Sequence, residues 1–177
     1  RLPNMSFAVV AASPVFGGKL KSVDEAPAKS MRGVRQIVKL PDAVAVVADN
    51  TWRANQALMA LKPEWDEGPN AATSSASIFA AMDAALDAGK FKSDFSIGNV
   101  DAALKDARKV IGHAYRVPYL AHATMETMNC TAHFDNGKLT IWGGFQDGLG
   151  ARAKAAKFAG IPIDDVTLNH TAMGGGF

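Results

Sequence analysis

The run TMNCTAHFDNGKLTIWGGFQ, residues 127–146, decides how the rest of the chain is read. Asn136-Gly137 lies between two strand-like runs, and this pair is preferred where both central residues of a tight turn need positive φ. The stretch predicts an antiparallel hairpin. Beyond it, DGLGARAKAAKFAG (147–160) is helical by composition, with Asp147 at its start, Arg152, Lys154 and Lys157 later, and Gly160 as a stop. Pro162 opens the connection to a strand in DVTLNH (165–170), after which the chain runs into Gly174-Gly175-Gly176-Phe177. Hairpin, helix, strand and glycine loop form one α/β unit. The glycine loop follows a strand end, where ligands of α/β sheets often bind.

Working upstream, VIGHAYRVPYLAH (110–122) alternates and predicts a strand as far as Pro118. NVDAALKDARKV predicts a short helix capped by Asn99, and SIFAAMDAALDAG a longer one stopped at Gly89. KPEWDEGPNAATSSAS (62–77) has Pro63, Gly68, Pro69, small polar residues and no period, which reads as a linker or boundary. The first sixty residues read strand, helix, strand, strand, helix. MSFAVVAAS (5–13) is a buried strand, and Asp24 caps a short helix in EAPAKSM that stops at Gly33. VRQIVKL and VAVVAD are strands joined at Pro41-Asp42, and Thr51 caps a helix whose apolar face is Trp52, Leu58, Met59 and Leu61. That order predicts an α+β layer with helices on one sheet face.

Composition narrows the function classes. The 177 residues are 48% hydrophobic and 20% charged, which argues against disorder. Nineteen basic and 17 acidic residues leave a net charge of +2, too balanced for a nucleic-acid or membrane-surface footprint. One cysteine, Cys130, excludes an internal disulfide framework and a cysteine-based zinc site. No apolar run has the length of a membrane span. The chain opens on Arg1 without a leader pattern, both ends read as cut, and targeting and compartment are left open.

The familiar catalytic patterns fail. GGGF lacks the Lys-Ser or Lys-Thr of a phosphate loop, and no G-x-G-x-x-G opens a helix. Cys130 near His122 or His133 could be a nucleophile, but a lone cysteine is more often a small core residue. His122 and Glu126 are four apart, which suits metal ligands on a helix; in a loop entering a strand they read as holding local backbone. NCT and NHT match glycosylation sequons in strand contexts. The glycine run reads as a linker scar, a disordered tail, or a binding loop. In the last case Gln146 and the Gly174–Phe177 backbone are donors lining a cradle for an anionic or oxo-bearing ligand.

YLAHATMETMNCTAHFDNGKLTIWGGFQ followed by AAKFAGIPIDDVTLNHTAMGGGF resembles the molybdenum-cofactor-binding region of the xanthine dehydrogenase and aldehyde oxidase family. The likeness is greatest to the branch of the isoquinoline 1-oxidoreductase beta subunits. SPVFGGKLKSVDEAPAKSMRGVRQIVKL and VAVVADNTWRANQALMALKPEWDEG resemble the small α/β hammerhead domain of the same subunits. Thr127 stands where many relatives carry proline. The resemblance implies an α+β fold: a hammerhead-like domain over 1–69, a linker with short helices over 70–110, and the first α/β unit of a molybdopterin-binding domain over 111–177. It implies cofactor contacts from Gln146, whose amide faces an oxo ligand of molybdenum, and from Gly175, Gly176 and Phe177. His122, Met125 and Glu126 match a structural signature without a catalytic role.

The chemistry implied is hydroxylation of an N-heterocycle or oxidation of an aldehyde, with water as oxygen source. The cofactor is molybdenum-molybdopterin in its cytosine dinucleotide form, and the partner a 2Fe-2S electron-transfer subunit. The family's catalytic glutamate and most pterin contacts lie beyond Phe177. The fragment alone is therefore expected to be inactive, to bind cofactor weakly or not at all, and to have a frayed glycine run. Two readings from other classes stand beside this one: an anion-binding module without redox chemistry, and a subunit-docking module.

Overall fold

A computed structural model describes residues 2–90 and 92–176. The chain divides into two compact units, one up to Arg108 and one from Lys109 onward.

In the first unit, β1 (Phe7–Ala12), β3 (Val34–Lys39) and β4 (Ala43–Ala48) form an antiparallel sheet in the order β1-β4-β3. The central strand is AVAVVA, an unbroken apolar run buried on both faces; Val44 and Val46 are fully buried. Pro41-Asp42 is the turn between β3 and β4, as its residues predict. β1 alternates, with Phe7, Val9 and Ala11 turned inward and Val10 exposed, so it is a half-buried edge strand and not the fully buried one its composition implied.

Helix α1 (Ala26–Lys29) follows Asp24, whose Oδ1 accepts from the Ala26 N–H at 2.9 Å. Helix α2 (Thr51–Leu61) packs on β1 and β4. Its cap is Asn50, whose side chain accepts from the Arg53 N–H at 2.9 Å, and not Thr51. Ala57, Leu58 and Leu61 meet Ala28, Val44 and Val46, and Ala54 is also buried, while Trp52 and Met59 point to solvent. The small Ala57 lets the helix sit close on the sheet, so bulk alone identified only half of the face.

One strand of a second sheet lies inside the predicted linker: β5 (Glu64–Asp66) pairs with β2 (Lys19–Ser22), a strand the sequence reading did not assign, with Leu20 opposite Trp65. Lys62 ends α2 in the left-handed region and Pro63 cannot continue the helix. The three residues that follow are extended, and Trp65 packs on the core. Helices α3 (Ser75–Ala88), with a Ser74–Ser77 capping box, and α4 (Val100–Asp106), capped by Asn99, stand where the periodicity put them.

In the second unit, β6 (Cys130–Asp135) and β7 (Lys138–Gly143) form the expected hairpin, with Asn136 at φ 48° and Gly137 at φ 77°. Helix α5 (Gly148–Ala159), capped by Asp147 Oδ1, carries the chain over to β8 (Val166–His170), parallel to β7. It packs on β8, and Arg152 Nε donates to the Val166 carbonyl at 2.8 Å. The predicted strand at 110–118 is absent: residues 107–129 have no helix or strand, and only Thr124 among them is not exposed. Alternation there has no partner strand to pair with.

Candidate functional site

The topology of the second sheet gathers three loops at one edge. β7 and β8 are parallel, so the segments leaving them emerge at the same end; β6 is antiparallel to β7, so the segment entering it arrives there too. Gly143 pairs with Cys130 on one side and His170 on the other. The Thr171 N–H then donates to the Gly143 carbonyl at 2.9 Å, carrying the ladder one step into the final loop. Residues 123–129, 144–147 and 171–176 thereby share this edge.

Residues 144–147 bring Gln146 to the glycine run 30 positions later. Gln146 follows the strand end at Gly143 and precedes the cap of α5, so it lies in the connection and not on the strand. Its Nε2 donates to the Gly176 carbonyl. A primary amide has two N–H donors. One is thus turned toward Gly176, which fixes the orientation of the amide and makes nitrogen, not oxygen, the atom facing the loop.

Residues 123–129 hold the other end of the run. Glu126 Oε2 accepts from the Gly174 N–H at 2.6 Å, and the Glu126 N–H donates to the Gly174 carbonyl at 3.4 Å. Asn129 Nδ2 donates to Glu126 Oε1 at 3.3 Å and to the Thr127 carbonyl at 2.9 Å. Thr124 Oγ1 donates to the Glu126 carbonyl at 2.6 Å. Glu126 was read as bonding local backbone; its main partner is 48 residues away.

The glycines at 174–176 lie close against the chain's own atoms, most tightly at Gly174. A Cβ on Gly174 would lie 2.6 Å from Glu126 Cβ, on Gly175 3.0 Å from Thr124 Cγ2, and on Gly176 3.1 Å from Gln146 Nε2. Gly175 also has φ +129°, a value that side chains rarely adopt. The clearance serves the chain's own packing. In the run expected to fray, Gly174 and Gly176 are bonded to Glu126 and Gln146. Phe177, expected as a cofactor contact, lies outside the described residues.

What this edge offers a ligand is neutral donors. Among the described residues, the N–H groups of Gly175 and Gly176 have no partner within the chain. With the second Gln146 N–H they make a small, exposed set suited to an electronegative atom. Among the described residues no three His, Cys, Asp or Glu side chains gather as metal ligands, so His122 and Glu126 belong to no such group. A metal at this edge would be carried by another group and met by hydrogen bonds. Cys130 is exposed at the start of β6, not a core residue, and Phe145 stacks edge-on against His170 at 6.2 Å. Thr124 and Met173, which covers Gly144, were not legible as site residues, and Glu126 was singled out only for local backbone, metal ligation or a structural signature. Their roles depend on partners distant in sequence.

Comparison with known proteins bears on the same region. The family model for the molybdopterin cofactor-binding domain matches residues 84–177. The chain is 25% identical over 197 residues to the aldehyde oxidoreductase molybdenum-binding subunit PaoC of Escherichia coli O157:H7, covering 99% of this chain and 27% of that protein. It is 24% identical over 200 residues to the isoquinoline 1-oxidoreductase subunit beta of Brevundimonas diminuta, covering 100% and 24%. The chain thus spans about a quarter of the length of these relatives. Quinoline 2-oxidoreductase from Pseudomonas putida 86 has the same fold over 100% of this chain and 28% of its own, with a TM-score of 0.68 at 18% identity.

Proposed function

The chain belongs to the molybdopterin cofactor-binding domain family, and from that premise we propose that it forms one wall of the molybdenum site in an oxidoreductase subunit. The whole subunit hydroxylates an N-heterocycle or oxidises an aldehyde, taking oxygen from water. The observation that carries this reading is the meeting of Gln146 with the glycine run at one sheet edge, with N–H donors unspent. The donor chemistry fits: the bound group supplies the redox centre, and this chain supplies hydrogen bonds to its electronegative atoms. Gln146 presents an oriented amide, and Gly175 and Gly176 present backbone N–H groups. Phe177, next in the sequence, is kept as a proposed cofactor contact. The cofactor is the cytosine dinucleotide form, and electrons leave to a 2Fe-2S subunit. We keep the division 1–69, 70–110 and 111–177 as the domain organisation.

The test is Gln146→Ala in the full-length subunit. A preorganised donor at the reacting centre contributes on the order of a hundredfold to turnover. The variant is expected to lose about that factor in kcat while retaining its molybdenum and pterin content. Unchanged turnover would remove Gln146 from the site.

Exposed apolar side chains along the extended arm, among them Ile111, Tyr115, Tyr119, Leu120, Met125 and Met128, support a second role compatible with the first. The arm packs against the remaining three quarters of the subunit.

A further inference from the structure

We propose that Glu126 is a positioning residue: a latch that sets the orientation of the glycine run and, through it, the direction of the donors at this edge. The functional meaning of the latch rests on the reading that the run faces the cofactor; its existence does not.

Glu126 takes both polar backbone groups of Gly174, the N–H with its side chain at 2.6 Å and the carbonyl with its own N–H at 3.4 Å. It acts on Gly174 as a neighbouring strand would, although no strand is there. Two further bonds fix Glu126 itself: Asn129 Nδ2 holds the second carboxylate oxygen, and Thr124 Oγ1 holds its carbonyl. The turn that delivers it passes through Ala123 at φ 43°, an uncommon conformation for a residue with a Cβ. Thr124 is the one residue of 107–129 that is not exposed.

The consequence is directional. With Gly174 pinned at both polar groups, neither peptide that flanks it can flip without breaking a bond to Glu126, and the Gly176 carbonyl is separately held by Gln146. The Gly175 N–H belongs to the same peptide as the bonded Gly174 carbonyl, so the latch sets its direction. A glycine run has no side chains to set its own conformation, so a carboxylate outside it does so. Glu126 touches no reacting atom in this scheme; it acts through the loop.

The test uses the full-length subunit with Glu126→Ala and Glu126→Gln, and reads amide hydrogen exchange by peptide mass spectrometry. A hydrogen bond to a charged group is worth enough that its loss raises local exchange on the order of tenfold. Glu126→Ala is expected to raise exchange over 171–176 by about that factor while leaving 130–143 and 166–170 unchanged. Glu126→Gln keeps one acceptor for the Gly174 N–H and should fall between wild type and Glu126→Ala. Unchanged exchange over 171–176, or a rise spread equally over the whole sheet, overturns the latch. The line shape of the Mo(V) electron paramagnetic resonance signal separates the two readings. Faster loop exchange with an altered line shape supports both, whereas faster exchange with an unaltered one keeps the latch and removes the run from the cofactor.

Discussion

At the scale of single residues, the side chains that matter here are those whose bonds cannot be replaced by a neighbour. Glu25 sits between Lys39, 2.8 Å away, and Lys29, 3.4 Å away. The Lys39 hydrogen bond and charge, with a smaller contribution from Lys29, hold its carboxyl below the usual carboxylate range. A lowered folded value means the ionised form is favoured in the folded state. The stabilisation is therefore full at neutral pH and lost as pH falls through that lowered value. Replacing Lys39 by Met is expected to raise the Glu25 titration midpoint, read by carbon-detected NMR; an unmoved midpoint would contradict the pairing. Asn50 gives a second residue-scale test. As the cap of α2, its change to Ala should cost about 1 kcal/mol, while Thr51→Ala stays within about 0.5 kcal/mol in urea unfolding. Equal losses would return the cap to Thr51.

At the scale of elements, the parts legible in the sequence were those with local causes. The Asn136-Gly137 turn, the Asp147 and Gly160 ends of α5 and the Pro41-Asp42 turn each depend on two or three adjacent residues. What failed depended on distant partners. Residues 110–118 alternate like a strand but form no strand ladder, and β5 is three residues with no period to read. The face of α2 was half right: Leu58 and Leu61 pack on the core, but Trp52 and Met59 are exposed and the buried Ala57 makes the contact in their place. Packing of that face holds the first unit more than its surface ion pairs do. A buried Leu or Val contributes about 1.5–3 kcal/mol, whereas a pair as exposed as Lys21–Glu64 contributes little. Leu61→Ala should therefore destabilise by about 2–5 kcal/mol, read by chemical denaturation, and a loss below about 1 kcal/mol would show the helix is not part of the core. In the candidate site, the sequence singles out Gln146 and the glycines because their types suit donors. The latch was not legible, because Glu126 and Gly174 are 48 residues apart.

For the whole molecule, the chain is about a quarter of its relatives' length and carries an extended apolar arm. Met125 and Met128 on that arm are 96% and 100% exposed, far more than their apolar side chains favour in water. If the rest of the subunit covers them, hydroxyl-radical footprinting should oxidise both quickly in residues 1–177 alone and slowly in the full-length subunit. Equal rates would leave the arm without a partner. The central claim, that Gln146 and the glycine run line the molybdenum cofactor, is tested most directly by anomalous diffraction at the molybdenum edge from crystals of the loaded full-length subunit. The account predicts a peak at the shared end of β6, β7 and β8, with Gln146 Nε2 within hydrogen-bond reach, about 3 Å, of a cofactor atom. A molybdenum peak at another edge, with Gln146 and Gly174–Gly176 touching only protein, would contradict it.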